Sequence, residues 1–231
     1  MDRNTSVVLL DLDGTLMDTK SLYLECYRRA VEPRLRRAPD DEELLSLKPR
    51  SELRFLESLV GPDAMEACLA DFYGHYHALH AEHFGGIYDG VTDMLRDLRA
   101  GGHPLGLVTG KSRRSWEITA AVAPLPPFDV MVLDDDVTEP KPHPQGIRAA
   151  LDALSARAEH AVYIGDTMGD VLAAAAAGVQ PIAALWGRGA TASAFAERAS
   201  AEGAWLAERP AEIRGLVARR VDASPASSST T

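Results

Sequence analysis

The chain has 231 residues, 46% of them hydrophobic, enough for a sizeable core and for one large domain or two small ones. Its 24 basic and 34 acidic side chains give a formal charge of −10, which argues against nucleic acid or an anionic membrane as partner. A small anionic substrate, which feels local charge, stays open.

Val7–Leu10 is a short apolar run with β-branched residues, the pattern of a strand buried on both faces. It leads into Asp11, Leu12, Asp13, Gly14 and Thr15, so two carboxylates that should repel stand two residues apart. The next stretch reads as helical, over about 22–31, 41–47, 51–60 and 63–83. Gly61-Pro62 punctuates the last two helices, and Gly85-Gly86 closes the stretch as a candidate hinge. Strand-like runs then recur at Pro104–Gly110, Phe128–Asp134, Ala161–Asp166 and Val179–Gly187. Helical segments over about 113–122, 144–157, 169–177 and 191–201 separate them. This alternation predicts an α/β fold with a doubly wound, Rossmann-like parallel sheet. The expected core is 1–15 and 88–221, with an inserted helical domain at 16–87 and a small, polar, disordered tail at 222–231.

The two cysteines, Cys26 and Cys68, form neither a CxxC pair nor a metal spacing. They read as reduced thiols of a cytoplasmic protein. The start, MDRNTS, is too polar for a secretion signal, and no run approaches the roughly 20 apolar residues of a membrane span.

In a doubly wound sheet, ligands sit at the carboxyl ends of the strands. The residues expected there are Asp11 and Asp13, Thr109, Lys141, and Asp166 with Asp170. Four clustered carboxylates are costly in a low-dielectric cleft. A hard divalent cation relieves the cost, and Mg²⁺ suits carboxylates together with a phosphate. With Asp13 protonated, three carboxylates are balanced by Mg²⁺ and Lys141, leaving a neutral site that admits a phosphate dianion. Asp11 can then attack phosphorus, and Asp13 can protonate the leaving oxygen and later deprotonate water. Thr109 can hydrogen-bond a phosphoryl oxygen, and Lys141 supplies positive charge. Asp166 and Asp170 share one helix face and can hold the metal. Their alternative reading is a helix N-cap with a first-turn acid, which can hold alongside the metal role.

The segments DLDGT, VTG, KPHP and GDTMGD, in this order, resemble the four motifs of haloacid-dehalogenase-like phosphatases. The likeness spans about Val7 to Arg188, and LWGRG at Leu185–Gly189 is also similar to the family. The position of the helical insertion resembles the cap of the phosphoglycolate-phosphatase-like branch. The resemblance implies that Asp11 is the nucleophile and Asp13 the acid/base. It further implies Mg²⁺ on the side chains of Asp11 and Asp166 and the backbone carbonyl of Asp13, with Asp170 helping directly or through water.

The implied activity is Mg²⁺-dependent hydrolysis of a small phosphorylated metabolite through an aspartyl phosphate, by a monomer or homodimer. The alternatives are a phosphomutase of the β-phosphoglucomutase type and a non-catalytic phospho-acceptor module. Such mutases carry a histidine early in the cap linker, whereas DTKSLYLECY has Tyr23 near that place. A dehalogenase has no use for an acid at Asp13, and the cap lysine of a phosphonate hydrolase is not recognisable in Lys20 or Lys48. Candidate substrate contacts are Gly110 with the neighbouring amides and Ser112, and Lys48 and Arg50, which could clamp a second anionic group. Arg113 and Arg114 read as a solvated face. His75, His77, His80 and His83 drift around their helix and read as a polar face, not a metal site.

Overall fold

The computed structural model describes residues 5–47 and 51–223. Strand β1 (Val7–Leu10) lies at the centre of a six-stranded sheet. The others are β4 (Leu105–Val108), β5 (Val130–Val132), β6 (Ala161–Gly165), β7 (Gln180–Ala184) and β8 (Trp205–Ala207). Their order is β5-β4-β1-β6-β7-β8, and every pairing is parallel. The crossovers run through α5 (Val91–Ala100), α6 (Arg113–Val122), α7 (Gln145–Ala153), α8 (Met168–Ala176) and α9 (Ala192–Ala201).

The alternation within β1 shows why both faces must be covered. Val8, Leu10 and Leu12 enter one apolar cluster, while Val7 and Leu9 enter another on the opposite face. The same division separates Val162 and Ile164 from Ala161 and Tyr163 on β6. The strand order reverses about β1, with β4 and β5 on one side and β6 to β8 on the other, so β1 and its neighbours end at the switch point where such folds bind ligands.

Between β1 and α5 the chain leaves the sheet through β2 (Met17–Asp18) and returns through β3 (Gly86–Ile87). These two links pair antiparallel, with Asp18 opposite Gly86. The residues between them form α1 (Lys20–Leu35), α2 (Asp41–Ser46), α3 (Glu52–Val60) and α4 (Pro62–His83). The four helices have their own core, in which Leu22, Tyr27, Leu44, Phe55, Phe72 and Tyr76 are buried. Cys26 and Cys68 are buried there as free thiols, and burial pushes the Cys26 thiol up to about 12.

Several boundaries differ from expectation. Helix α1 continues through Pro33 and ends only where Arg36 turns left-handed at φ 54°. Helix α7 stops at Ala153, four residues short. Helix α5 is an amphipathic crossover beyond the expected helices, and Val91, Met94, Leu95 and Leu98 follow a helical spacing. The edge strand β8 and helix α10 (Ile213–Ala223) were also not anticipated. Helix α10 takes in Asp222 and Ala223, while the rest of the expected tail lies outside the described residues. Among the described residues no helix is long and apolar enough to cross a membrane.

Candidate active site

Asp11 follows β1 directly, and its amide donates to the Ile164 carbonyl at 2.9 Å, which continues the ladder by one residue. The chain then folds into a tight loop, with the Gly14 amide bonded to the Met17 carbonyl at 2.8 Å. Gly14 has φ +81°, and a Cβ there would lie 2.5 Å from an Asp166 carboxylate oxygen. Only glycine lets this loop pass so close to the end of β6.

Three carboxylates converge at this edge. Asp11, Asp166 and Asp170 each offer an oxygen within 4.8 Å of the others. Lys141 bridges two of them: its Nζ donates to Asp11 at 2.8 Å, to Asp170 at 2.6 Å and to the Tyr163 hydroxyl at 3.0 Å. The buried Tyr163 hydroxyl in turn donates to the Val108 carbonyl at 2.8 Å. Asp166 accepts from Thr15 Oγ1 at 3.3 Å and from the Arg188 guanidinium at 3.3 Å. Arg188 also donates to the Asp166 backbone carbonyl and stacks over the Phe195 ring.

The site is short of positive charge. Burial pushes the Asp11 carboxyl up to about 7, with Asp170 adding to the shift and Lys141 opposing it. Burial and the charges of Asp170 and Asp11 push Asp166 up to about 8. Lys141 is raised well above its ordinary value because Asp11 and Asp170 outweigh the effect of its burial. A set of hard oxygen donors that resist ionisation together fits a hard divalent cation.

The Asp13 carboxylate takes a different direction. It pairs with the buried Lys111, whose Nζ lies 3.0 Å from Oδ1 and 3.4 Å from Oδ2. Asp11 and Asp13 therefore coexist because each has its own lysine, and Asp13 is outside the carboxylate trio. Lys111 is not among the expected site residues. Its place two residues after Thr109 was the available signal.

Thr109 is buried at the end of β4, and its Oγ1 accepts from the Lys111 amide at 3.2 Å. Gly110 lines a small cleft with Thr109, Pro140 and Lys141. Ser112 turns away from the trio: it caps α6 and donates from its hydroxyl to Glu52 at 2.5 Å. Arg113 is exposed and paired with Asp136, in keeping with a solvated face. Asp170 belongs to a capping box with Thr167, so Thr167 and not Asp166 is the N-cap of α8. Its Oδ2 accepts from Thr167 Oγ1 at 2.6 Å while Oδ1 faces Lys141. Lys48 and Arg50 lie outside the described residues. His80 is buried against Thr119, 3.1 Å from its Oγ1, and is not part of a polar face.

A parallel sheet with a carboxylate trio and a bridging lysine at its switch point defines an α/β protein with an acidic centre. The profile of the haloacid dehalogenase-like hydrolase family matches residues 8–184, and the chain belongs to that family. It is a hydrolase of the phosphatase type. Pyrophosphatase PpaX of Bacillus cereus is 30% identical over 182 residues, covering 78% of this chain and 83% of the relative. The structure of CbbY from Rhodobacter sphaeroides in complex with phosphate is 26% identical, with TM-score 0.74, covering 90% of this chain and 96% of CbbY. A candidate β-phosphoglucomutase from Thermotoga maritima is 25% identical, with TM-score 0.70, covering 93% and 99%.

Proposed function

We propose that this chain is a Mg²⁺-dependent phosphatase that hydrolyses a small phosphorylated metabolite through an aspartyl phosphate on Asp11. The observation that carries the reading is the trio of Asp11, Asp166 and Asp170 bridged by Lys141. Phosphate bound in the CbbY structure and the pyrophosphatase activity named for PpaX support a phosphorylated substrate. The buried, unpaired thiols of Cys26 and Cys68 suit a cytoplasmic setting.

Asp11 attacks phosphorus, and the bond to the leaving oxygen breaks as Asp13 gives that oxygen a proton. Asp13 then takes a proton from the water that cleaves the aspartyl phosphate, which regenerates both carboxyl groups. Lys141 orients Asp11 and, with the Thr109 hydroxyl and the Gly110 amide, faces the charge that builds on the phosphoryl oxygens. The side chains of Asp11, Asp166 and Asp170 and the backbone carbonyl of Asp13 would hold Mg²⁺. The ion supplies positive charge that lets an anionic substrate approach an anionic nucleophile. Helices α1–α4 act as a cap, within 16–87, over the leaving-group side, where Lys48 and Arg50 are offered as further substrate contacts. Tyr23 stands near the place of the mutase histidine and is engaged with Glu52 and Lys111, which favours water over a second sugar hydroxyl as acceptor.

The test is a screen of phosphomonoesters and pyrophosphate with Mg²⁺, using Asp11→Asn as the blank. The reading expects phosphate release from at least one compound by the wild type and none from the variant. Equal release from both would refute the nucleophile assignment.

A further inference from the structure

Glu52 opens α3 in the helical insertion and is 2% exposed. A carboxylate so buried is tolerable only when its lone pairs are satisfied. Three hydroxyls do this: Tyr23 at 2.5 Å, Ser112 at 2.5 Å and Ser115 at 2.9 Å. Tyr23 belongs to α1, whereas Ser112 caps α6 and Ser115 lies in its first turn. Glu52 thus joins the insertion to the sheet domain. Its carboxyl is pushed up by burial, with Lys111 and the hydroxyls opposing.

The network continues to the reacting groups. The Tyr23 hydroxyl donates to Glu52 and accepts from Lys111 Nζ at 2.7 Å. Lys111 has no exposed side-chain surface, and its ammonium also lies over the rings of Tyr23 at 4.4 Å and Tyr76 at 4.8 Å. An ammonium has three protons and no acceptor, so these partners fix its direction. Its remaining partner is Asp13, held more closely through Oδ1 than through Oδ2. Lys111 thus holds the Asp13 carboxyl from one side, with Oδ2 the less closely held oxygen.

We propose that Glu52 is a positioning residue that, through Tyr23 and Lys111, aligns Asp13 for protonating the leaving group while the helical insertion is seated on the sheet domain. The proposal rests on the phosphatase reading above. Asp11 forms its bond to phosphorus, the bond to the leaving oxygen breaks, and the electron pair of that bond accepts the proton from Asp13. Burial of Glu52 requires all three hydroxyls in place. Seating of the insertion and alignment of Asp13 are therefore one event.

The test uses two phosphomonoesters with saturating Mg²⁺: the alkyl ester turned over fastest in the screen and p-nitrophenyl phosphate. The p-nitrophenolate group leaves without needing a proton. For Glu52→Ala we expect kcat on the alkyl ester to fall at least about tenfold, with p-nitrophenyl phosphate losing less than about threefold and KM within about twofold. Tyr23→Phe, which keeps its ring packing, and Glu52→Gln, which keeps its shape, should show the same split in weaker form. They carry the test should Glu52→Ala not fold. Equal losses on both esters in a folded variant, or no loss on either, would overturn the role of Glu52 alone. A wild type that releases phosphate from no compound in the screen would overturn the phosphatase reading itself.

Discussion

Replacing Lys141 with methionine keeps most of the side-chain volume and removes one buried charge. In the wild type the ammonium donates to Asp11 at 2.8 Å, to Asp170 at 2.6 Å and to Tyr163 at 3.0 Å, with its side chain only 16% exposed. Without it, two buried carboxylates face each other across an apolar side chain. Removing one partner of a buried ion pair costs about 3–5 kcal/mol. At roughly 2–4 °C per kcal/mol for a chain of this size, the melting temperature should fall by about 6–20 °C. The assay is thermal unfolding by circular dichroism in chelator at pH 8. Added Mg²⁺ should close part of the gap, because a cation replaces part of the lost charge. A variant melting within about 2 °C of the wild type in chelator would refute the view that Lys141 offsets carboxylate repulsion.

The same electrostatics predicts a pH dependence. In the folded chain Asp11 is raised from 3.8 to about 7 and Asp166 from 3.8 to about 8, so the folded state binds more protons than the unfolded state across that window. Stability in chelator should therefore fall as pH rises from 4 to 8, and Mg²⁺ should flatten the slope; urea unfolding at pH 5 and pH 8 checks the sign. Gly14→Ala places a Cβ 2.5 Å from an Asp166 oxygen at φ +81°. It should weaken Mg²⁺ binding measured by calorimetry and cost about 1 kcal/mol or more in stability. Ser112→Ala removes both the N-cap of α6 and a donor to Glu52, and should cost about 1–2 kcal/mol in chemical denaturation.

The positions of Asp11, Thr109, Lys141, Asp166 and Asp170 were legible because each follows an apolar run, and the parallel order brings those run ends to one edge. Backbone periodicity carries that information. What it does not carry is which distant side chain a buried charge will meet. Lys111 lies beside Arg113 and Arg114, which are exposed, yet its own side chain turns inward to Asp13. Glu52 stood at the start of the expected helix 51–60, just after the basic residues Lys48 and Arg50, and its burial depends on how α3 docks on α6. Arg188 lay in a segment noted only for family likeness, although its guanidinium reaches Asp166. Helix α5 has its stripe of Val91, Met94, Leu95 and Leu98 within only ten residues, between Gly90 and Gly101.

The most direct measurement is mass spectrometry of protein quenched in acid during turnover of an active phosphomonoester with Mg²⁺. A phosphoryl group on the peptide carrying Asp11, absent from Asp11→Asn, is the predicted result. Phosphate release with no phosphoryl group on the protein, or with the group on another residue, would contradict the account.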